Sequence, residues 1–355
     1  MRNTLVTLLI LFCFILIVFP KVSLANAQGA ITIQADGTIE GTDKIVREGN
    51  MYTFLENITV NSIVVERDDI VIDGSNYSLH NVLTSSQLDS YGIVLSGRSN
   101  VTVKNLQILN FNRGFDLKGC SNIDMLGNYI YVNSPSSGGI YLFSCYRINI
   151  IENAFISKSA LGCGVLIDNF YLRVDSVRNF LLKNKFSNLG CAIHNIASTK
   201  STLSGNTFSN CGTCVFLDSC EYDKIFGNVF ENSQIGLKFN ESSNNTIYHN
   251  NFLNIQQDVT EQESSMPWLE KTYVNSWDNG SEGNYWSSYN GADNNGDGIG
   301  EVPYVLTETN QDNYPLTNPV NINIVSIPEY PELTLLTLFL AVTLLVIIYN
   351  KRTVH

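Results

Sequence analysis

The chain has 355 residues, of which 44% are apolar, so it can bury a large core and does not belong to the disordered class. Its formal net charge of −12 would repel a phosphate backbone, which argues against nucleic acid as a partner. Six Asn-x-Ser/Thr acceptor sites suit a surface protein that can be glycosylated.

Both ends of the chain carry apolar runs that predict targeting segments. Residues 1–27 combine Arg2, an apolar run and "ANA" at 25–27, which is typical of a cleaved secretory signal. A second run at 333–349 would be roughly 25 Å long as a helix, the short end for a membrane span. The basic pair behind it would hold residues 350–355 in the cytoplasm. We expect a single-pass, C-terminally anchored protein on the extracellular face of the membrane, with a buried core helix as the alternative for 333–349.

From residue 92 the sequence repeats with a period of about 22 residues, and Asn184, Asn206, Asn228 and Asn250 are spaced by 22. Each unit contains short alternating apolar segments rich in β-branched and aromatic residues. Strands this short cannot bury a face alone, so each unit predicts one turn of a solenoid. We therefore predict an all-β fold, a right-handed parallel β-helix over residues 28–252, with equivalent side chains stacked about 4.8 Å apart.

The repeated asparagines are interpreted as architecture. We expect them to line up in single file at a corner of each coil. Asparagine tolerates the left-handed or bridging backbone that a corner can require, and stacked amides can hydrogen-bond along the axis.

Seven cysteines remain after the signal segment. Cys120 and Cys145 occupy the same place in adjacent coils, and so do Cys163 and Cys191 in the next two. Stacked positions fall within the Cα separation that a disulfide needs, which predicts these two pairings. The alternative is a column of small buried thiols.

One coil is six residues longer than its neighbours, and the segment "DNFYLRVDSVR" at 168–178 holds the resulting bulge. Insertions in solenoids lie on loops, and loops often carry binding residues. A polysaccharide lyase would need a basic group here to remove the proton α to a uronate carboxyl, whereas a solvated loop with ion pairs is the simpler interpretation. The candidate ligand-binding residues of this bulge are Asp168, Tyr171, Arg173 and Asp175.

Residues 253–326 are predicted to form a C-terminal cap, because the open end of a solenoid must be covered. The three tryptophans of the chain lie there. Trp277 and Trp286 are interpreted either as platforms for sugar rings or as a lid over the last coil.

The same segment contains an acidic, Gly/Asn-rich turn, "DNNGDG" at 293–298, which resembles loops that fold oxygen ligands around calcium. Tyr304 stands where an EF-hand would have a glutamate, so we expect a smaller calcium-stabilised turn, with a metal-free turn as the alternative. The candidate calcium ligands are Asp293, Asn295, Asp297, Glu301 and Asp312. Copper is not predicted, because His80, His194 and His249 are far apart in sequence and register.

Several motifs resemble those of the NosD-type right-handed β-helix family, the so-called periplasmic copper-binding group, which includes many archaeal surface proteins. The coils "GNTF", "GNVF" and "NNTIYHNNF" resemble its repeats, and "WDNGSEGNYWSSYNGADNNGDGIGEVPY" and "NQDNYPL" resemble its end motif. The "IPEYPE" before the membrane run resembles archaeal envelope anchors. The resemblance covers about residues 58–349. It implies the β-helix fold and a link either to copper delivery or to polysaccharide binding and cleavage.

These observations favour a cell-surface β-helix that binds carbohydrate or another cell-envelope component, or that serves as a structural or adhesive display module. A polysaccharide lyase or hydrolase on the same scaffold is the first alternative. A NosD-like metal-delivery accessory protein is the second.

Overall fold

The computed structural model describes residues 29–81, 90–132, 138–158, 162–170, 178–262 and 273–322. Over these ranges the chain is an all-β, right-handed parallel β-solenoid of about nine turns without a helix, which confirms the predicted fold. The expected signal at 1–27 and anchor at 333–349 lie outside the described residues. Within the described part of the chain, no helix could span a membrane.

Three long sheets run along the solenoid, and successive coils add one strand to each. The first sheet contains Ile31–Ile33, Ile39–Glu40, Ile63–Val65, Tyr91–Ser96, Arg113–Lys118, Gly138–Phe143, Cys163–Asp168, Cys191–Ile196, Thr213–Asp218, Ile235–Asn240 and Gln257–Glu261. The second contains Ile45–Glu48, Met51–Phe54, Ile70–Asp73, Ser99–Lys104, Ser121–Leu126, Tyr146–Ile151, Phe180–Leu182, Thr202–Ser204, Lys224–Phe226 and Thr246–Tyr248. The third contains Ile58–Thr59, Ser78–His80, Gln107–Leu109, Tyr129–Val132, Ala154–Ser157, Lys185–Ser187, Thr207–Ser209, Val229–Glu231, Asn251–Leu253 and Tyr285–Trp286. A separate hairpin pairs Tyr304–Val305 with Gln311–Asp312.

The core consists of side chains stacked from coil to coil. The clearest stack is a column of buried phenylalanines inside the third sheet, whose rings lie nearly parallel at centroid distances of 4.6 to 5.0 Å. Each ring therefore packs face to face on the equivalent ring of the next coil and buries both of its faces. The members are Phe155, Phe186, Phe208, Phe230 and Phe252.

The repeated asparagines form one buried file along the solenoid, as predicted. The Oδ1 atom of Asn206 accepts a hydrogen bond from the backbone N–H of Asn184 at 2.9 Å, and its Nδ2 donates to the Leu181 carbonyl at 2.7 Å. The same pattern recurs in each coil. We call this the first amide file, and its members are Asn128, Asn153, Asn184, Asn206, Asn228, Asn250 and Asn284.

Left-handed backbone, one of the two conformations expected for these asparagines, does not occur at the members of the file. Positive φ angles occur instead at the residue directly before a file member, such as Lys183 at 55° and Gly205 at 67°. The corner is turned one residue earlier. The side chain that follows is then aimed inward, where it meets the unpaired backbone groups.

A second amide file, which the repeat analysis did not identify, runs beneath the second sheet. It continues a column of inward-facing apolar side chains that includes Ile123 and Ile148. The side-chain oxygen of each member accepts a hydrogen bond from the backbone N–H of the preceding residue in the column. Asp223 Oδ1, for example, accepts from Ser201 N at 2.8 Å, and Asn245 Oδ1 from Asp223 N at 2.8 Å. The members are Asn179, Ser201, Asp223, Asn245 and Asn275.

The first amide file ends on a buried carboxylate. Asp312 Oδ2 accepts from the backbone N–H of Asn284 at 2.8 Å and from Trp286 Nε1 at 2.8 Å. The Trp286 ring also continues the phenylalanine column, with its centroid 4.1 Å from that of Phe252. Asp312 therefore ends the first amide file and Trp286 ends the phenylalanine column, and the two residues are hydrogen-bonded to each other.

The second amide file ends in the same way on Asn310, two residues before Asp312. Asn310 Oδ1 accepts from Asn275 N at 2.9 Å and from Trp277 Nε1 at 3.0 Å. Trp277 and Trp286 are each only 1% exposed. Neither ring has a face free for a sugar, so the sugar-stacking role predicted for them does not fit this structure.

Removal of one amide from the first file should destabilise the protein. Asn206→Ala leaves the Asn184 N–H and the Leu181 carbonyl without their partner in a buried site. We expect the free energy of unfolding to fall by about 3 kcal/mol, measured by urea denaturation. Asn318→Ala, which truncates an exposed asparagine, should change it by less than about 0.5 kcal/mol. Equal effects of the two variants would contradict the structural role of the file.

Two buried carboxyls make stability depend on pH. Burial raises the pKa of Asp223 from 3.8 to about 7 and that of Asp312 to about 6. Because the folded protein holds these protons more tightly than the unfolded chain, their contribution is complete below about pH 4 and is lost as pH rises towards 7.

We expect Asp223→Asn to remove much of this loss, since asparagine already occupies the next file position, at Asn245, and the position two coils earlier, at Asn179. Thermal unfolding at pH 5 and pH 8 should show a smaller difference for Asp223→Asn than for the unaltered protein. Asp43→Asn, at an exposed position, serves as the charge-matched control. An unchanged pH profile in Asp223→Asn would refute the assignment.

Candidate functional site

The cysteines lie in neighbouring pairs. Cys163 and Cys191 are register partners in adjacent strands, and Cys120 N donates to Cys145 Sγ at 3.4 Å. All seven described cysteines are free thiols, so the two disulfides stay a prediction while their proximity is a feature of the structure. The hydrogen bond with the Cys145 thiol lowers the pKa of Cys120 to about 7.

The remaining cysteines behave differently from one another. The thiols of Cys211 and Cys214 also contact each other, so a third pair exists within one coil. Cys220 is fully buried, and its Sγ donates to the Asn195 carbonyl at 3.2 Å. Burial raises the pKa of Cys220, which keeps this thiol protonated and unreactive.

The bulge at 168–178 is described only at its two ends. Asp168 closes the strand Cys163–Asp168, and its Oδ1 accepts from Phe170 N at 3.2 Å. Phe170 is 70% exposed. The other candidates of the bulge, Tyr171, Arg173 and Asp175, lie outside the described residues. Arg178, at its far end, lies on the outer face of the second sheet.

The acidic turn is organised by its own backbone. Asp293 Oδ1 accepts from Gly296 N at 2.7 Å and from Asp297 N at 3.2 Å, and its Oδ2 accepts from Gly298 N at 2.9 Å. Asn295 Nδ2 donates to Asp297 Oδ2 at 3.0 Å. These contacts hold the oxygen-rich side chains of the turn together.

The two residues expected to complete a calcium site are placed differently. Glu301 is exposed, and its N–H donates to the Ala292 carbonyl at 3.0 Å. Asp312 is fully buried, and its oxygens accept from Asn284, Trp286 and Tyr314, so it closes the first amide file instead. Calcium binding by the remaining residues stays a prediction.

The described histidines do not fit a copper centre. His80 Nε2 is hydrogen-bonded to Asn110, His249 Nε2 lies 2.6 Å from Glu282, and the His194 ring stacks on Phe216. Within the described ranges, no three His, Cys, Asp or Glu side chains gather closely enough to hold a metal ion. No step through copper is derived from this arrangement.

A groove of about 510 Å³ lies on the outer face of the second sheet. It is lined by two adjacent columns of outward-facing residues from four consecutive coils. In one column the strand register places Thr102, Asp124, Asn149 and Phe180 next to each other in that order. Since neighbouring coils are about 4.8 Å apart, the groove follows the solenoid axis for about 14 Å. Its lining residues are Asn100, Thr102, Asn122, Asp124, Arg147, Asn149, Arg178 and Phe180.

The groove is cationic at one end. Arg147 and Arg178 are exposed, lie in adjacent coils, and form no ion pair with any described residue. Asp124 is the single carboxylate of the described lining, and its Oδ1 accepts from Asn149 Nδ2 at 2.6 Å. The lining therefore carries a net charge of 2 − 1 = +1 in a chain whose net charge is −12.

One of the two lining columns has left-handed backbone in every coil. Its φ angle is 55° at Asn100, 52° at Asn122, 55° at Arg147 and 46° at Arg178. Asparagine and aspartate tolerate this conformation better than other side chains, whereas arginine is disfavoured in it. We call this the left-handed column, and its other members are Asp69, Lys200, Tyr222 and Asn244.

Most of the residues that line this groove were not predicted from the sequence repeat. Only Arg178 falls inside the bulge that the sequence singled out. Alignment of the coils on their asparagines would place Arg147 and Arg178 in one column, where other coils have Asn100 and Asn122. That alignment is the signal that could have revealed the site.

Two family models match the chain. Residues 165–291 match the model of the periplasmic copper-binding protein NosD, and residues 24–171 match that of the right handed beta helix region. These matches support a NosD-type right-handed β-helix family. No curated protein matches the chain.

Among solved structures, a mutant tailspike protein of E. coli bacteriophage HK620 in complex with a pentasaccharide is similar, with 12% identity and a TM-score of 0.41. The alignment covers 66% of this chain and 48% of the tailspike chain. A complex of that protein with a hexasaccharide has 13% identity, a TM-score of 0.39 and the same coverage. The chain thus spans about half the length of these tailspike chains.

The neighbouring thiols predict a specific order of oxidation by glutathione disulfide. Cys163 and Cys191 should link first, because these two neighbouring thiols are partly exposed, and glutathione disulfide is reduced to two glutathione thiols as their bond forms. Cys120, Cys145 and Cys220 are fully buried and should stay unmodified until the protein unfolds. Non-reducing peptide mapping by mass spectrometry checks this order, with Cys220→Ser as the control that leaves every pair intact. Early modification of Cys220 would contradict it.

Proposed function

We propose that this protein is a carbohydrate-binding β-helix of the cell surface and that the groove on the second sheet is its glycan site. The observation that carries the proposal is the lining of the groove. It combines guanidinium groups, amides, a hydroxyl and a carboxylate with the exposed aromatic ring of Phe180. Binding sites for small molecules and short polymers combine such polar groups with aromatic surface.

Each part of the lining suits a feature of a sugar chain. The amides of Asn100, Asn122 and Asn149 offer both donors and acceptors to hydroxyl groups. Phe180 is 38% exposed and presents an apolar face on which the C–H side of a sugar ring can pack. A groove about 14 Å long accommodates a short stretch of a linear glycan.

The proposal places this groove outside the cytoplasm. The matched NosD family is described as periplasmic, which supports export. In the proposed arrangement, residues 1–27 direct secretion, residues 253–326 cap the solenoid and residues 333–349 anchor the protein. The solenoid would then display its groove to glycans of the envelope or its surroundings.

Binding is preferred to hydrolysis because of the acids available. Glycoside hydrolysis generally uses two carboxylic groups on opposite sides of the scissile bond. The described lining offers only Asp124, and its Oδ1 is already engaged by Asn149. The lyase and hydrolase alternatives therefore have less support than a binding role.

A glycan array with the purified full-length protein tests the proposal. We expect Phe180→Ala to weaken binding of the selected glycan roughly tenfold, since burial of a phenylalanine face contributes about 1.5 kcal/mol. Tyr314→Ala is the matched control, because Tyr314 is also 38% exposed but lies beyond the last coil. The proposal would be refuted if no glycan binds, or if the two variants lose affinity for the selected glycan equally.

A further inference from the structure

We propose that the ligand of the groove is a linear glycan that carries carboxylate groups, and that one acidic sugar binds between Arg147 and Arg178. This inference rests on the proposed carbohydrate-binding function and adds the chemical class of the ligand. It also predicts where the acidic sugar lies, because the two arginines lie at one end of the groove and Asn100 at the other.

Two positive charges at one end of the groove have no partner among the described residues. Arg147 and Arg178 are exposed in adjacent coils, about 4.8 Å apart, and neither forms an ion pair with a described residue. The remaining described contact of the Arg147 guanidinium is with the ring of Tyr146, at 6.0 Å from its centroid. Like charges on neighbouring coils repel each other, and an anion bound between them would offset that repulsion.

Both arginines have a backbone conformation that is unfavourable for arginine. Arg147 and Arg178 stand at positions with φ of 55° and 46°, where the two preceding coils have Asn100 and Asn122. Asparagine would be the more stable choice there, because it adopts left-handed backbone at lower cost. Disfavoured backbone positions often coincide with ligand-binding sites, where the side chain is needed for another purpose.

The chemistry of the arginines and the placement of the other lining groups suit an acidic sugar at this end of the groove. Guanidinium groups bind planar carboxylates through two parallel hydrogen bonds, which fits an acidic sugar. Phe180 lies two residues after Arg178 on the same face of the strand, so one sugar ring can contact both side chains. Asp124 lies towards the other end and would repel a second carboxylate, which favours a neutral sugar there.

Four kinds of probe separate the possible ligands. The carboxylated probes are oligosaccharides of hyaluronan, in which acidic and neutral sugars alternate, and of polygalacturonate, in which every sugar is acidic. Their carboxyl-reduced forms are the neutral probes, and dextran sulfate is the sulfated probe. We expect the full-length protein to bind hyaluronan oligosaccharides best, as measured by titration calorimetry. The affinity should fall as salt is raised from 50 to 500 mM, because salt limits the attraction between charges to a range of about 10 Å or less.

Variants then test the two arginines. Arg147→Asn and Arg178→Asn should each weaken binding of the carboxylated probe at least tenfold. Each should also raise the midpoint of thermal unfolding by about 2 °C, because asparagine suits the left-handed position. A residue with a purely structural role would not combine a gain in stability with a loss of affinity.

Lys183→Asn is the matched control. Lys183 is also exposed and left-handed, with φ of 55°, but it lies at the far end of the strand Phe180–Leu182 and outside the groove lining. It should leave the affinity unchanged. Equal loss of affinity in Lys183→Asn would show a non-specific charge effect and overturn the inference.

Other outcomes separate this inference from the proposed function. Equal binding of the carboxyl-reduced forms, or tighter binding of dextran sulfate, would overturn the carboxylate assignment. If a neutral glycan binds in a manner that depends on Phe180 but not on Arg147 or Arg178, the inference fails and the proposed function stands. If no glycan binds at all, both fail.

Discussion

The structure depends on one hydrogen bond that is repeated from coil to coil, in which a buried side-chain oxygen accepts the backbone N–H at the corner of the coil before it. Asn206 does this for Asn184, and Asn228 does it for Asn206. The corner is buried, so without these oxygens its backbone groups would be unpaired at considerable cost. The contact can form only when equivalent residues are superposed, so it opposes the slips of register that parallel strands otherwise permit.

The same requirement explains how the solenoid closes at its C-terminal end. The last coil has backbone N–H groups at its corners and no following coil to accept them. Asp312 and Asn310 take these hydrogen bonds, and each also accepts an indole N–H, so the polar and apolar columns end together. A carboxylate in such a place is costly when charged, which is why burial raises the pKa of Asp312.

Fixed register also determines the outer surface. Because every coil repeats the same backbone, outward side chains form straight columns, and a few changes in one column create a site. Asparagine or aspartate occupies four of the eight positions named in the left-handed column, and of the other four, Arg147 and Arg178 lie at the end of the groove where Phe180 is exposed. Departures of this kind are where function is expected in a protein whose remaining sequence agrees with its fold.

The sequence by itself determined the β-helix, its coil length and the single file from Asn184 to Asn250, because a repeat of equivalent residues constrains every coil in the same way. It also placed Cys163 beside Cys191, because the two cysteines occupy the same position in adjacent coils. Only the tertiary structure revealed the second amide file, the burial of Trp277 and the groove. These features depend on which residues of different coils superpose across unequal coil lengths, and on which faces are covered by residues that follow the repeat. Neither is encoded in the spacing of any single unit.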